Sequence, residues 1–351
     1  MKKILALVLA LAMVATFAAC GTNEPATAEY KLGVGTVVSL DESKDTTAQA
    51  DTTVAAVIID ADGKIVACDI DVAQTKVTFE KGKVTKLDEV DLRTKTEKGA
   101  DYGMAAAVNY GMDWNGDGVV KEWFEQAAAF EAYVVGKTAD EVAAIKTKEV
   151  EGKGYVIADD ADLLNAGCTI QIAEFVNAVV AACKDDQAKT FTAAEGFKLG
   201  LDMETEVAES ADATAKLYSD YSAVVVDTEG KVLAAVLDAV QPSVTATAAG
   251  FDKAYTNTKR GLKADYGMAA AVNYGMDWNG DGVVKEWFEQ AEVLTNYVVG
   301  MTADEIKAIE TKEVEGKGYI IPAVDDLLNA GCTIQISIYK TVMANAIANA
   351  K

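Results

Sequence analysis

One segment of this chain occurs twice, and this internal repeat limits the possible folds more than any other feature of the sequence. Ala100 to Ala127 recurs residue for residue 164 positions later as Ala264 to Ala291. Weaker similarity extends from this block in both directions, so the repeating unit has the size of a domain and is far longer than the units of solenoid proteins. The sequence therefore predicts a tandem of two similar domains.

The repeat and the start of the chain divide the sequence into four predicted parts. Residues 1–19 form an export signal, and residues 20–28 form a small, polar tether. Residues 29–188 form the first repeat and residues 189–351 form the second. The chain is long enough for each repeat to bury a hydrophobic core.

Each repeat begins with a predicted β-hairpin. Val54 to Ile70 consists of two runs rich in β-branched residues around the turn dipeptide Asp62-Gly63. Ala223 to Leu237 has the same pattern around Glu229-Gly230. These patterns predict antiparallel strand pairs at matching places in the two repeats.

Helices are predicted after the hairpins. Trp123 to Val135 has apolar residues at helical spacing, Thr138 with Glu141 forms a capping box, and Thr302 with Glu305 repeats that box. The clearest apolar stripe belongs to the last helix of the first repeat and consists of Ile172, Phe175, Val176, Val179, Val180 and Cys183. We therefore expect an α+β fold of two similar tandem domains, each an antiparallel sheet with packed helices.

The first twenty residues are typical of an exported lipoprotein. Lys2 and Lys3 precede an apolar run, Ile4 to Ala19, that is short for a membrane span. Phe17 to Gly21 resembles the lipobox of bacterial lipoproteins, which implies that Cys20 becomes the lipidated first residue of the mature chain. We expect a lipid anchor at the extracellular face of the cytoplasmic membrane. The alternative is an ordinary signal with an incidental cysteine.

The charge balance and the absence of histidine narrow the possible functions. The chain has 32 basic and 55 acidic residues, a formal net charge of −23. We expect no nucleic-acid partner, because phosphate binding needs clustered lysine and arginine. A chain without histidine has no Ser-His or Cys-His nucleophile and no histidine-ligated metal.

Four cysteines follow Cys20, namely Cys68, Cys168, Cys183 and Cys332. Their spacing matches neither a CxxC pair nor a zinc site, so we interpret them mostly as small buried apolar residues. The sequence leaves open a disulfide between Cys168 and Cys183.

An acidic loop inside the repeated block resembles an EF-hand calcium loop. Oxygen-bearing residues alternate and a glycine follows at the sixth position. The candidate ligands are Asp113, Asn115, Asp117, Asp277, Asn279 and Asp281. Phe124 and Phe288 occupy the twelfth position, where a bidentate carboxylate is required, so we expect weak calcium binding at most. The alternative is an Asn-Gly and Asp-Gly turn that needs no ion.

A second candidate site is a turn of small residues that is followed by a threonine. The turn recurs at Ala166 to Ile170 and Ala330 to Ile334. The candidate binding residues are Gly167, Cys168, Thr169, Gly331, Cys332 and Thr333. We expect each threonine in the first turn of the terminal helix, where free N–H groups and the helix dipole favour a phosphate. The alternative role is a threonine helix cap.

The order of several motifs resembles tandem FMN-binding lipoproteins of bacteria, which include pheromone-precursor lipoproteins of extracellular electron transfer. These motifs are Asp101 to Met104, Lys121 to Gln126, Val135 to Val142 and the small-residue turn. The resemblance covers nearly all of the mature chain. The aspartate of the family pattern stands seven residues before the threonine here, at Asp162 and Asp326, rather than six.

The resemblance implies an electron carrier rather than a turnover enzyme. A flavin transferase would join FMN phosphate to Thr169 and Thr333, and a quinone-linked membrane donor would supply electrons. Two further classes stay open: a calcium-binding structural or adhesion lipoprotein without flavin, and a solute-binding lipoprotein. Ring-stacking candidates are Tyr102, Trp123, Tyr266 and Trp287, with aromatic core packing as the alternative.

Overall fold

The computed structural model describes most of the chain after the predicted tether. The described residues are 27–44, 46–105, 118–152, 155–194, 196–270, 277, 280, 282–316 and 318–351. The predicted export signal, the lipidation residue Cys20 and most of the tether lie outside them. No helix of the described ranges is long and apolar enough to span a membrane.

The first repeat contains a meander of long strands followed by short helices and one small hairpin. Its strands are β1 (Ala28–Ser39), β2 (Thr47–Ile59), β3 (Ile65–Glu80), β4 (Lys83–Thr85), β5 (Thr147–Val150) and β6 (Tyr155–Ala158). Its helices are α1 (Lys95–Lys98), α2 (Trp123–Val134), α3 (Ala139–Ala143), α4 (Ala161–Asn165) and α5 (Ala173–Cys183).

The second repeat has the same order of elements, with its long strands broken into shorter ones. Its strands are β7 (Lys189–Ala193), β8 (Lys198–Glu206), β9 (Thr214–Lys216), β10 (Tyr218–Val226), β11 (Val232–Val240), β12 (Ser243–Thr247), β13 (Gly250–Ala254), β14 (Thr311–Val314) and β15 (Tyr319–Pro322). Its helices are α6 (Lys259–Leu262), α7 (Trp287–Tyr297), α8 (Ala303–Lys307), α9 (Asp325–Asn329) and α10 (Ser337–Asn349).

The largest sheet is antiparallel, with strand order β4-β3-β2-β1-β7. Ile59 of β2 faces Ile65 of β3 across the predicted turn, so the hairpin of the first repeat is confirmed. Strand β7 belongs by sequence to the second repeat but pairs with β1, with Phe191 opposite Tyr30. One strand of the second repeat thus completes the sheet of the first.

The remaining strands form smaller antiparallel sheets. Their orders are β11-β10-β8, β13-β12-β9, β14-β15 and β5-β6. The β10–β11 pair is the predicted hairpin of the second repeat. Both predicted capping boxes are present, at Thr138 with Glu141 and at Thr302 with Glu305. The predicted α+β class, with antiparallel sheets and packed helices, is confirmed.

Helix α5 packs on β1 through small residues, and the predicted apolar stripe packs against the same core. Ala178 and Ala182 are fully buried, whereas Val176 and Val180 are only partly buried. A Cβ at Gly33 would clash with the carbonyl group of Ala182. The missing side chain lets the helix backbone approach the strand, so alanines outside the predicted stripe form the face that packs most closely on β1.

The two repeats pack sheet against sheet. In β2, Ala55 and Val57 face the helices of the first repeat, whereas Ala56 and Ile58 face the strands of the second. In β10, Val224 faces the helices of its own repeat. The layers are therefore helices, sheet, sheet and helices, and both faces of each long strand are covered, which suits the continuous apolar runs.

Ion pairs of Arg260, Lys263 and Lys351 bridge the repeats, and Lys263 makes an exposed one with Asp186. Arg260 Nη1 lies 2.7 Å from Asp185 Oδ2, and both side chains are buried. Lys351 Nζ lies 2.9 Å from Asp69 Oδ1 and 2.7 Å from Glu131 Oε2. Burial, followed by the nearby Asp69 charge, raises the pKa of Glu131 to about 7. These polar contacts fix how the two sheets meet.

Candidate functional site

The small-residue turn lies between α4 and α5. Gly167 has φ +84°, a conformation that favours glycine. Helix α5 begins at Ala173, so Thr169 lies four residues before the helix instead of in its first turn. Ile172 is the N-cap residue and makes no side-chain cap bond, so Thr169 does not cap the helix either. The turn itself, rather than a helix terminus, holds the threonine.

A glutamine from helix α2 fixes the threonine. The backbone N–H of Thr169 donates to Gln126 Oε1 at 2.8 Å, and its hydroxyl donates to the same oxygen at 3.2 Å. Gln126 Nε2 donates to the Lys121 carbonyl oxygen at 2.8 Å and lies 3.1 Å from the sulfur of Met104. Because Gln126 is 1% exposed, this network is anchored in the core.

The second repeat has the same arrangement. Thr333 donates to Gln290 Oε1 through its N–H at 2.7 Å and its hydroxyl at 3.3 Å. Gln290 Nε2 donates to the Lys285 carbonyl oxygen at 2.8 Å and lies 3.2 Å from the sulfur of Met268. Thr169 is 9% exposed and Thr333 is somewhat more open. The structure therefore contains two matching threonine sites.

A lysine side chain covers each turn. Lys121 Nζ donates to the Ala166 carbonyl oxygen at 2.7 Å, and Lys285 Nζ donates to that of Ala330 at 2.7 Å. Neither ammonium forms an ion pair with a carboxylate among the described residues. In a chain with a net charge of −23, a cation at each small-residue turn is suited to an anionic group.

The cysteines of the turns are core residues. Cys168 and Cys332 are both 0% exposed, and burial raises the pKa of each thiol to about 12. The backbone N–H groups of Ile170 and Ile334 donate to their sulfur atoms. All four cysteines after Cys20 are free thiols, so the disulfide between Cys168 and Cys183 is not formed.

The candidate ring-stacking residues have different surroundings. Trp123 is 3% exposed and packs edge-on against Phe175, at 5.7 Å between ring centroids. Trp287 is 1% exposed, and its indole N–H donates to the hydroxyl of Tyr339 at 3.2 Å. Aromatic core packing is therefore the role that the geometry supports for both tryptophans. Among the candidates, Tyr266 keeps a partly exposed ring.

A half-buried lysine lies above each pair of aromatic rings and was not predicted. Lys95 Nζ is 5.4 Å from the ring of Tyr102 and 5.5 Å from that of Trp123. Lys259 Nζ lies at 5.6 Å and 5.4 Å from the matching rings of the second repeat. Burial lowers the pKa of both ammonium groups, and nearby carboxylates such as Asp51 and Asp220 act against that shift.

The acidic loops are mostly outside the described residues, which include only one of the candidate calcium ligands. The ligands outside are Asp113, Asn115, Asp117, Asn279 and Asp281. Asp277 Oδ2 accepts the N–H of Gly282 at 2.8 Å, a bond within the turn. The described ranges contain no cluster of three metal-binding side chains. Weak calcium binding stays a prediction.

Sequence reasoning missed the residues that support the threonines. Lys121, Gln126 and Met104 all lie within the block that is repeated without a change, and their counterparts do as well. The exact repetition of that block was the available signal. Residues that do not change between the repeats give the two threonines the same partners. Comparisons with protein-family models, with curated proteins and with solved structures gave no match.

Proposed function

We propose that the protein is an electron carrier of the cell surface that holds one FMN at Thr169 and one at Thr333 through phosphoester bonds. The observation that carries the proposal is the duplicated turn, which holds a threonine hydroxyl by a hydrogen bond and accepts a second hydrogen bond from a lysine that has no carboxylate partner among the described residues. FMN would supply one-electron and two-electron transfer, while the protein positions it.

The residues at the phosphate end fit this group. With the hydroxyl proton of Thr169 directed at Gln126 Oε1, the lone pairs of Oγ1 are left for the phosphorus atom of a flavin dinucleotide. The phosphoanhydride bond of that donor would break and release a nucleoside monophosphate, and the transferase would take up the hydroxyl proton. Lys121 would neutralise part of the phosphate charge. Gly167 has no side chain, so the turn leaves room for the lysine side chain and for the group it binds.

The flavin ring requires other contacts than the ones expected from the sequence. Trp123 and Trp287 belong to the core and leave no free face for stacking. Two surface cavities, of about 530 and 330 Å³, lie away from the threonines. We infer that the ring would lie over the outer side of the turn, near the partly exposed Tyr266 in the second repeat.

Covalent flavin attachment can be tested by co-expression with a flavin transferase. Fluorescence of denaturing gels and intact mass should show up to two FMN adducts on the wild type. Thr169→Ala and Thr333→Ala should each remove one adduct, and the double variant should carry none. Thr138→Ala and Thr302→Ala are matched controls, because these threonines cap helices at equivalent places in the repeats and should leave both adducts.

Three results would contradict the proposal in different ways. A wild type without any adduct rules out phosphoester attachment. Flavin that binds but is released on denaturation indicates a non-covalent carrier. A colourless protein whose melting temperature rises with calcium favours the structural lipoprotein instead.

The lipid anchor is a second part of the proposal and has a separate test. We propose that Cys20 carries the lipid, on the basis of the charged start, the apolar run and the small residues before it. Cys20→Ser should release the protein from membranes into the medium. Unchanged membrane fractionation of that variant would contradict the anchor without affecting the flavin sites.

A further inference from the structure

A groove at the seam between the repeats has a composition unlike the rest of the molecule. It has a volume of about 530 Å³, within the range of small-molecule sites. Phe79 of the first repeat and Phe251 of the second lie side by side in it, with ring centroids 5.2 Å apart at 41°. Phe79 is 3% exposed, and Phe251 is half-buried. Phe251 therefore supplies the apolar wall of the groove, and Phe79 supports it from the core.

The charge of this groove opposes the charge of the chain. Among the described residues its lining includes Lys44, Lys81 and Lys253 but no aspartate or glutamate, although acidic residues exceed basic ones by 23 in the whole chain; Asp45, next to Lys44, lies outside the described residues. Lys44 forms an exposed ion pair with Glu42. Lys81 and Lys253 make no ion pair with any residue of the described ranges.

The groove is held open by backbone bonds between and within the repeats. Val84 N–H donates to the Asp212 carbonyl oxygen at 2.7 Å, which joins β4 to a turn of the second repeat, and Phe79 N–H donates to the carbonyl oxygen of Thr46 at 2.7 Å. Lys81 has φ +51° in the β3–β4 turn, where asparagine or glycine is usual. A lysine is thus kept at a backbone position that disfavours it.

The position of the groove favours a ligand from solution over a membrane surface. Strand β1 has 12 residues, so its ends are about 40 Å apart. The tether enters at Ala28, whereas the groove lies beside the opposite end, where Ser43 and Lys44 follow β1. In an anchored protein the groove therefore lies at the end of β1 opposite to the end that joins the tether.

We propose that this groove binds a soluble organic anion with a planar aromatic ring. The ring lies on the partly exposed Phe251, which packs on the buried Phe79, and the carboxylate, sulfonate or phosphate group lies between Lys81 and Lys253. The site exists only when the two repeats are packed together, because each contributes at least one cation and Phe79 of the first repeat supports the ring of the second. It is independent of the flavin sites, and its ligand needs no covalent step.

The probe for this site is 1-anilinonaphthalene-8-sulfonate, an aromatic anion whose fluorescence rises on binding. We expect one saturable site per chain and an affinity that falls with added salt. The Lys81→Glu, Lys253→Glu double variant should bind the probe at least about tenfold more weakly, because it reverses the charge at both cations. Phe251→Ala should also weaken binding, through loss of the ring wall.

Matched controls separate this site from general adsorption. The uncharged analogue N-phenyl-1-naphthylamine should bind the wild type and the double lysine variant alike. Lys148→Glu with Lys312→Glu reverses two charges at equivalent hairpins of the repeats and should leave sulfonate binding unchanged. Equal weakening by this control, several unsaturable sites, or an unchanged affinity in the Lys81 and Lys253 variant would each overturn the proposal. Melting temperatures of all variants establish that they are folded.

Discussion

The hydroxyl groups of Thr169 and Thr333 take their orientation from a glutamine rather than from a helix. In both sites one amide oxygen accepts the N–H and the O–H of the threonine. A single acceptor thereby fixes the turn and the side chain together. The property that matters for a modification site, the direction of the hydroxyl proton, thus depends on one residue of helix α2 or α7.

Replacement of Gly167 tests the contact between the turn and Lys121. Gly167 and Gly136 both have φ +84°, but a Cβ would meet Lys121 Cε at 2.7 Å only at Gly167, whereas at Gly136 it would meet nothing within 4 Å. Both alanine variants should lose about 1–2 kcal/mol of unfolding free energy from backbone strain, measured by urea denaturation. Flavin attachment at Thr169 should fall in Gly167→Ala and persist in Gly136→Ala. Equal labelling of the two variants would contradict a role for Lys121.

Asp202 should make stability depend on pH. Burial raises its pKa to about 7, and its Oδ2 has no hydrogen-bond partner in the described part of the chain. A carboxyl whose folded-state pKa is raised stabilises the fold below its unfolded pKa near 4, and that stability is lost as the pH rises through 7. The wild type should therefore melt at a higher temperature at pH 5 than at pH 7.5.

The substitution Asp202→Asn removes this titration. At pH 7.5 the variant should be more stable than the wild type by at least about 1.4 kcal/mol, the free energy of one pKa unit. At pH 5 the advantage should be much smaller, because most of the range between the unfolded and folded pKa values lies above pH 5. Asp265→Asn, at an exposed carboxylate, should follow the wild-type profile at both pH values. If the stabilities of the variant and the wild type changed with pH in parallel, Asp202 would not titrate in this range.

At the scale of the elements, the contact between the terminal helix and the first strand depends on glycine. Gly33 and Gly35 face the carbonyl groups of Ala182 and Ala178, and Gly200 faces that of Ala346 in the second repeat. The helix carbonyl groups cannot move without disturbing the backbone hydrogen bonds of the helix. The same device in both repeats explains why β1 and β8 tolerate residues with low strand propensity.

Gly33→Ala should therefore destabilise the fold strongly. We expect a loss of about 3 kcal/mol or more, because the added methyl group meets backbone rather than a flexible side chain. Gly63→Ala is the control, since that glycine lies in an open turn with nothing within 4 Å and should lose only the cost of its φ of +75°. Similar urea midpoints for the two variants would show that helix α5 can shift away from β1.

At the scale of the whole molecule, the repeats share a core and should unfold together. The inter-sheet cluster combines residues such as Val54 and Ile58 with Met203 and Val225, and β7 crosses from one repeat into the other's sheet. Calorimetry should show one transition, with equal calorimetric and van't Hoff enthalpies. Leu163→Ala and Leu327→Ala, at buried equivalent positions, should each shift that single transition. Two transitions, each shifted by only one of the substitutions, would show independent domains.

The buried pair of Arg260 and Asp185 should contribute to the same cooperativity. Arg260→Met leaves the Asp185 carboxylate buried without its cation, and we expect a loss of about 3 kcal/mol. Lys263→Met removes an exposed pair with Asp186 and should change stability by less than about 1 kcal/mol. Restored stability in the Arg260→Met, Asp185→Asn double variant would confirm that the cost is an unpaired charge. Equal effects of the two single variants in thermal melts would contradict it.

The sequence by itself determined the features whose causes lie within a few residues. The β-branched runs around Asp62-Gly63 specified a hairpin, because the turn dipeptide and the strands it joins are adjacent. The capping boxes at Thr138 and Thr302 were correct for the same reason, since their partners are three residues apart. The repeated block predicted two equal units, and the α+β class followed from the order of strands and helices.

Only the tertiary structure decided which distant residues meet. Gln126 reaches Thr169 across 43 positions, and Arg260 reaches Asp185 across 75. Strand β7 joined the first sheet because the edge of β1 offered unpaired backbone groups, which no local pattern signals. The inward face of α5 was set by the glycines of β1. Such contacts depend on how the sheets and helices pack. The spacing of residues along the chain does not indicate which helix or sheet will cover a given face of a strand.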